Sequence, residues 1–246
     1  MPLPFRDVKR IFDGDKAYLE EGYIRNNDGS WYVSVITDFG NEVNGDMFDW
    51  WFRNCDNTEK YRWWHPKDHI TGTWDNSYFD ISAKERKKGY YINHIHIVRE
   101  KINNVTQDLQ ILFIDPMQYF DQKTLDDNKV SAILMARVHA DDDLIGKHIA
   151  VGYLIHYIRI GVKGNNELVS KFWLGCDVRL GGDDNITGYG TIYRNVINFI
   201  SNTKLFKLLK LPESTAKGLY IHCSQEMNCL KGFLPHLYYS CKRPEK

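Results

Sequence analysis

Between residues 90 and 174 the chain runs in short stretches of apolar and polar positions with the period of two that marks β-strands. Over residues 90–102, Ile92, His94, His96, Val98 and Glu100 share one face, and Asn93, Ile95, Ile97 and Arg99 share the other. Residues 109–114, 132–139, 149–160 and 168–174 are four more runs of strand length, and residues 30–37 form a short one. Helical spacing is confined to three regions. Residues 46–53 predict a short helix with Asp46 as N-cap. Residues 193–209 predict a helical region, after a loop at residues 181–184. A final helix starts at Pro212, which suits a first turn, and ends near Gly232 and Pro235. Residues 61–69 read as a loop between the first helix and the strands. A run of antiparallel strands followed by helices is an α+β pattern. Residues 1–45 are polar and rich in Gly turns, and predict an N-terminal extension packed on a main domain over residues 46–246.

The last helix carries an anomaly. On a helical wheel of residues 214–234, Ala216, Leu219, Cys223, Met227, Leu230, Phe233 and Leu234 fall on one side. Glu226 falls near the middle of that side and His222 near its edge. A carboxylate in an apolar layer needs a proton, a cationic partner or a metal. A His and a Glu four residues apart project the same way, so both can ligate one ion, although such a pair is more often structural. If this helix buries its apolar face on the concave side of the sheet, the pair looks into a cavity.

Composition narrows the function classes. The 246 residues suffice for one large domain, and the 32 basic and 32 acidic residues cancel. That balance offers no basic surface for nucleic acid. No apolar run is long enough to span a bilayer, and the first residues lack the apolar core of a signal peptide. Five scattered Cys without a CxxC pair predict reduced thiols and a cytoplasmic protein. Seven Trp and fifteen Tyr suit a pocket for a flat apolar ligand, and equally an ordinary core. Oligomeric state is not readable from the chain, which leaves a homo-oligomer open.

Two candidate metal sets follow. His94, His96 and Glu100 on one strand face resemble the first motif of cupins, but the later Gly and the second motif are missing. Alternatively, His69 and Glu100 join His222 and Glu226 to give two imidazoles and two carboxylates, a set compatible with Zn2+, Mn2+ or Fe2+. His65, beside Pro66, reads as a solvated loop residue with no assigned role.

Asp49-Trp-Trp-Phe, Tyr61-x-x-Trp-His-Pro-x-Asp-His69, Glu100 and His222-x-x-x-Glu226 together resemble the 2,4-diacetylphloroglucinol hydrolase family, which includes phloretin hydrolases. The resemblance runs from about residue 45 to 240. It implies a Bet v 1-like helix-grip fold, with an antiparallel sheet wrapped on the long C-terminal helix and a zinc ion in the cavity. It implies hydrolysis of the carbon–carbon bond between an acyl carbonyl and a phenolic ring in an aromatic ketone. It carries the metal ligands onto His69, Glu100, His222 and Glu226. Tyr61 matches a substrate-contacting tyrosine, and His156 a catalytic histidine. Trp64 and Trp173 are candidate pocket walls, as is Trp63. Two departures bear on the substrate: Gly72 stands where the resemblance implies an Asn, and a second substrate-binding Tyr falls near Phe172-Trp173, neither of which has a phenol. The rival from another class is a non-catalytic carrier of hydrophobic ligands, which has little use for buried carboxylates.

Overall fold

The computed structural model describes residues 4–13, 19–142, 146–180 and 191–242. Eight strands form one antiparallel sheet: β1 (Gly22–Arg25), β2 (Trp31–Gly40), β3 (His69–Trp74), β4 (Ile95–Ile102), β5 (Val105–Ile114), β6 (Val130–Asp142), β7 (Gly146–Ile160) and β8 (Asn166–Arg179). Their order across the sheet is β1-β2-β8-β7-β6-β5-β4-β3. Strands β2 and β3 lie far apart in the sheet, and the connection between them carries α1 (Gly45–Asn54) and α2 (Thr58–Trp64). The short α3 (Gln122–Asp127) precedes β6. Helices α4 (Thr191–Ser201) and α5 (Lys204–Lys210) lead into the 30-residue α6 (Glu213–Lys242).

Helix α6 touches β1, β2 and β4 as well as α1 and α2, so the sheet grips it from both sides. The helix-grip expectation therefore holds. The apolar stripe of α6 is the one the wheel picks out: Ala216, Cys223, Met227, Leu230 and Leu234 are fully buried. They join a core with Val33, Val35, Phe48, Trp51, Phe52, Leu134 and Phe172 on the concave side. A second cluster lies on the other face of the sheet. There Tyr32, Met135, Ile155, Tyr157, Val169 and Trp173 are covered by a 3-10 helix over Phe5–Phe12. Phe5 of that helix stacks on Tyr153 at 3.6 Å.

Several elements differ from expectation, each for a local reason. Strand β4 starts at Ile95, not at residue 90, because Asn93 takes a left-handed φ of 67° and closes a turn. Helix α1 is capped by Asn44, whose side chain accepts from Met47 N, and Asp46 is already inside it. Residues 58–64 are helical rather than loop, because the Asn57 side chain accepts from Lys60 N and starts α2. The helical region before α6 divides at Asn202, and Thr203 caps α5. Helix α6 continues through Pro235. Proline removes one backbone hydrogen bond there, but Leu234 and Tyr238 remain buried, and Trp50 meets Tyr238 edge-on at 5.5 Å. Packing on both sides of the break holds the helix together. Strands β1 and β3 give no strong alternation and escape a reading of the sequence. Residues 22–40 of the expected N-terminal extension supply β1 and β2, with β2 hydrogen-bonded along β8. The loop expected at residues 181–184 lies outside the described residues.

Candidate metal centre and active site

Four side chains meet where α6 crosses β3 and β4. His69 is the first residue of β3, and the antiparallel register sets it opposite Glu100 of β4. On β4, His96, Val98, Glu100 and Ile102 are buried and the intervening residues are not, as alternation requires. From the other side, α6 presents His222 and Glu226. His69 Nε2 lies 3.4 Å from Glu226 Oε2 and 3.7 Å from Glu100 Oε2. His222 Nε2 lies 3.8 Å from each of the same two carboxylates.

Each member is held from behind. His69 Nδ1 is 2.8 Å from the Tyr61 carbonyl, to which it donates. Its Nε2 is thereby directed at the two carboxylates, without a well-formed hydrogen bond to either. His222 Nδ1 faces Asp68 Oδ2 at 3.4 Å. The Tyr61 hydroxyl donates to Glu100 Oε2 at 2.6 Å, and its ring stacks on the His69 ring at 3.8 Å. His65 stacks on His222 at 4.8 Å and contacts Gln225 Oε1 at 3.3 Å, so it supports the site rather than lying in solvent.

This donor set fits a divalent cation. A tetrahedral ion with bonds of about 2.0–2.2 Å keeps its ligand atoms about 3.3–3.6 Å apart, close to the separations present. Donor atoms of His69, His222 and Glu226 lie within 4.8 Å of one another. An imidazole lone pair buried beside two carboxylates without a proton donor is what a cation satisfies. His65, Asp68 and His222 form a second cluster that shares His222 and lies behind it.

The charges of these groups stabilise one another. Burial would raise the pKa of Glu226, but His69, His222 and His156 outweigh it and lower the value. Burial works against charge on His69, yet the Glu226 and Glu100 carboxylates raise its pKa. Burial, reinforced by the Glu100 charge, pushes the Tyr61 phenol well above its usual value, so it remains a proton donor.

Beside these groups lies a cavity of about 130 Å³, lined by Phe52, Trp64, Leu109, Phe172, Leu219 and His156 among others. Glu100, His222, Glu226 and Tyr61 reach its wall. His156 comes from β7, and its Nδ1 is 2.7 Å from Ser170 Oγ of β8. Burial drives its pKa down to about 4, with the Glu226 charge opposing, so its ring is neutral at physiological pH.

Not every candidate residue reaches this place. Alternation in β8 turns Phe172 inward and Trp173 outward. Trp173 meets Phe5 edge-on at 5.3 Å and lies 5.4 Å from Tyr32, on the far side of the sheet from the cavity. Trp63 is exposed. The cupin-like set does not converge. His94 sits in the turn before β4, where Ser77 Oγ and Asp75 Oδ1 hold its Nδ1 at 3.2 and 3.3 Å. His96 does line the cavity and stacks on Trp74 at 4.6 Å. Burial, helped by the neighbouring His69, lowers its pKa to about 3. Asp68 and Ser170 had no role in the sequence reading. Asp68 lies within the His-Pro-x-Asp-His stretch, whereas nothing in the sequence marks Ser170.

The model of the DAPG hydrolase PhiG domain matches residues 3–239. Phloretin hydrolase of Eubacterium ramulus is 23% identical over 242 residues, covering 96% of this chain and 78% of that protein. Among solved structures, Ara h 8.0201 aligns with a TM-score of 0.42 at 7% identity, over 82% of this chain and 97% of that one. A conserved protein of unknown function from Enterococcus faecalis aligns with a TM-score of 0.28 at 11% identity, over 92% and 96% of the two chains.

Proposed function

Because the chain belongs to the DAPG hydrolase PhiG domain family, we propose that it is a metal-dependent hydrolase of acylated phenols. It cleaves the carbon–carbon bond between an acyl carbonyl and a phloroglucinol-type ring and releases a carboxylic acid. The observation that carries this reading is the convergence of two imidazoles and two carboxylates beside an aromatic-walled cavity, with His69 Nε2 aimed at both carboxylates and well bonded to neither. His69, Glu100, His222 and Glu226 are the proposed ligands, and Zn2+ is the ion best suited to two nitrogens and two oxygens, with Mn2+ or Fe2+ as alternatives. When bound, such an ion supplies Lewis acidity toward a ketone or phenol oxygen.

The chain's own residues do the rest. Phe52, Trp64 and Phe172 hold the substrate ring by apolar contact and exclude water from it. The Tyr61 hydroxyl, already donating to Glu100, keeps a lone pair for a phenolic hydroxyl of the substrate. His156 is neutral, and with Nδ1 bonded to Ser170 its Nε2 is the working atom. It takes a proton from water as the water oxygen bonds to the acyl carbon. The bond to the ring carbon then breaks, its electron pair remains on the ring, and the proton on His156 passes to that carbon. Water is consumed, and the products are a free phenol and a carboxylic acid.

Cavity size bears on the substrate. About 130 Å³ is small against the roughly 300–1,000 Å³ common for ligand pockets. That favours a single ring with a short acyl chain over a two-ring ketone such as phloretin. Metal analysis of the purified protein tests the reading, with Glu226→Gln as control. One ion per chain, lost in the variant, is expected, together with metal-dependent acid release from short-chain acylphloroglucinols. A protein that binds no metal and shows no metal-dependent release sinks it.

A further inference from the structure

His96 lines the cavity but has no place among the proposed metal ligands. It is 3% exposed, and its Nε2 is buried without a hydrogen-bond partner among the described residues. Aromatic contacts hold the ring. It stacks on Trp74 at 4.6 Å and lies edge-on to Tyr61 at 5.3 Å. Its two strand neighbours offer it nothing polar. On β3, Trp74 Nε1 already donates to the Cys55 carbonyl at 2.8 Å, and on β5 the neighbour is Ile111. Burial keeps the imidazole neutral, so it carries one N–H donor and one acceptor. A buried polar group without partners destabilises the fold, and its presence calls for a reason. His96 and Glu100 share the inward face of β4, roughly 13 Å apart along the strand. The cavity wall follows that face from Ile102 past Glu100 to His96. Towards His96 the wall is aromatic, with Phe52, Trp64 and Phe113, and Trp64 Nε1 is also buried without a partner.

We propose, on the reading of the site as an acylphenol hydrolase, that His96 binds a substrate ring hydroxyl remote from the acyl group and so selects phenols hydroxylated there. Geometry is the first argument. With the acyl carbonyl at the metal ligands and an ortho hydroxyl at Tyr61, the ring lies along β4, and its para hydroxyl reaches farthest towards His96. Chemistry is the second. A hydroxyl both donates and accepts, as the neutral imidazole does. A ketone or ether oxygen only accepts, and an ionic group would be stripped of water among Phe52, Trp64 and Phe113 without a counter-charge there. His96 is thus a specificity-determining residue, and it takes no part in bond breaking.

Steady-state kinetics of the metal-loaded full chain test it, with two ketones of the same short acyl chain. One carries a 2,4,6-trihydroxyphenyl ring. The other carries a 2,6-dihydroxyphenyl ring, lacks only the para hydroxyl, and is read as a competitor through its Ki. His96→Phe keeps a ring for Trp74 to stack on and removes both nitrogens. It should raise the ratio of the trihydroxy KM to the dihydroxy Ki about 5- to 150-fold, the factor for a buried polar group left without its partner. Crowding by the larger ring acts on both ketones and divides out of that ratio. Bound metal should be unchanged, and kcat for the trihydroxy ketone nearly so, because the bond is made equally before and during the reaction. His96→Gln, which retains a donor and an acceptor, should restore most of the ratio. An unchanged ratio in His96→Phe overturns the proposal, as does loss of metal in parallel with the change. A wild type that releases no acid from the trihydroxy ketone sinks the proposed activity and this role with it, whereas an active wild type with an unchanged ratio in His96→Phe sinks this role alone.

Discussion

Replacing Gly72 by alanine should disable the site without touching any proposed ligand. A Cβ built on Gly72 would lie 2.6 Å from Tyr61 Cγ and 2.8 Å from its Cδ1. Ordinary carbon contacts begin near 3.5 Å, so the ring must retreat by about 1 Å. It has little freedom to do so, because it stacks on His69 at 3.8 Å and its hydroxyl is bonded to Glu100 at 2.6 Å. Overpacking of this kind costs about 1–3 kcal/mol of stability. Losing a buried hydrogen bond to a carboxylate costs about 1.5–3 kcal/mol, or roughly 10- to 150-fold in an equilibrium that depends on it. Gly72→Ala should therefore lower metal affinity by at least about tenfold in chelator competition, and lower kcat/KM with it. Urea unfolding should show the stability loss. Tyr61→Phe removes only the hydroxyl, and the double variant identifies the route. If Gly72→Ala acts through the Tyr61–Glu100 bond, its effect on metal affinity should nearly vanish in the Tyr61→Phe background. Unchanged affinity and stability in Gly72→Ala, or fully additive effects in the double variant, would refute the reasoning.

Three further outcomes follow from the same geometry. Asp68→Asn weakens the orienting charge behind His222 Nδ1, 3.4 Å away, and should cost about 10- to 100-fold in metal affinity; equal affinity would mean that Asp68 does not position His222. Ser170→Ala frees His156 Nδ1 and should lower kcat on the order of tenfold with bound metal unchanged, whereas parallel loss of metal would point to a structural role. On the outer face, Lys171 Nζ bonds Tyr32 Oη at 2.9 Å and Ser34 Oγ at 3.1 Å, and burial lowers its pKa to about 8. A lysine whose folded pKa is depressed contributes stability that is present above its unfolded value and lost as pH falls through the folded one. Between pH 9.5 and 7 that loss is about 2 kcal/mol. Burial raises the pKa of Cys55, Cys176 and Cys223, so thiols exposed by unfolding add their own pH dependence in the same window; the readout is therefore the difference between wild type and Lys171→Met, which should lack this component, and identical pH dependences would exclude it.

The sequence and the tertiary structure contribute separately to this site. The helix carrying His222 and Glu226 was legible because its apolar stripe repeats at helical spacing, and that local pattern holds in α6 despite Pro235. Alternation in β4 likewise put Glu100 on an inward face, though it started the strand too early, since the left-handed turn at Asn93 carries little signal. In β8 the same alternation separates Phe172 from Trp173, but which of the two faces the cavity depends on which face of the sheet receives α6. The reading of residues alone offered His69 and Glu100 with the α6 pair beside a rival set from His94, His96 and Glu100; the family resemblance favoured the first. The antiparallel register that sets His69 opposite Glu100, and the packing of α6 across them, join residues as far apart in the chain as His69 and Glu226. The seating of Tyr61 on Gly72, the Asp68–His222 contact and the Ser170–His156 bond likewise join separate elements and follow from how those elements pack. By itself the chain determined its periodicities and supplied the donor atoms, because those follow from local stereochemistry and residue type. Tertiary structure decided which donors face one another, because pairing register and helix docking minimise the free energy of the whole chain and leave no local trace.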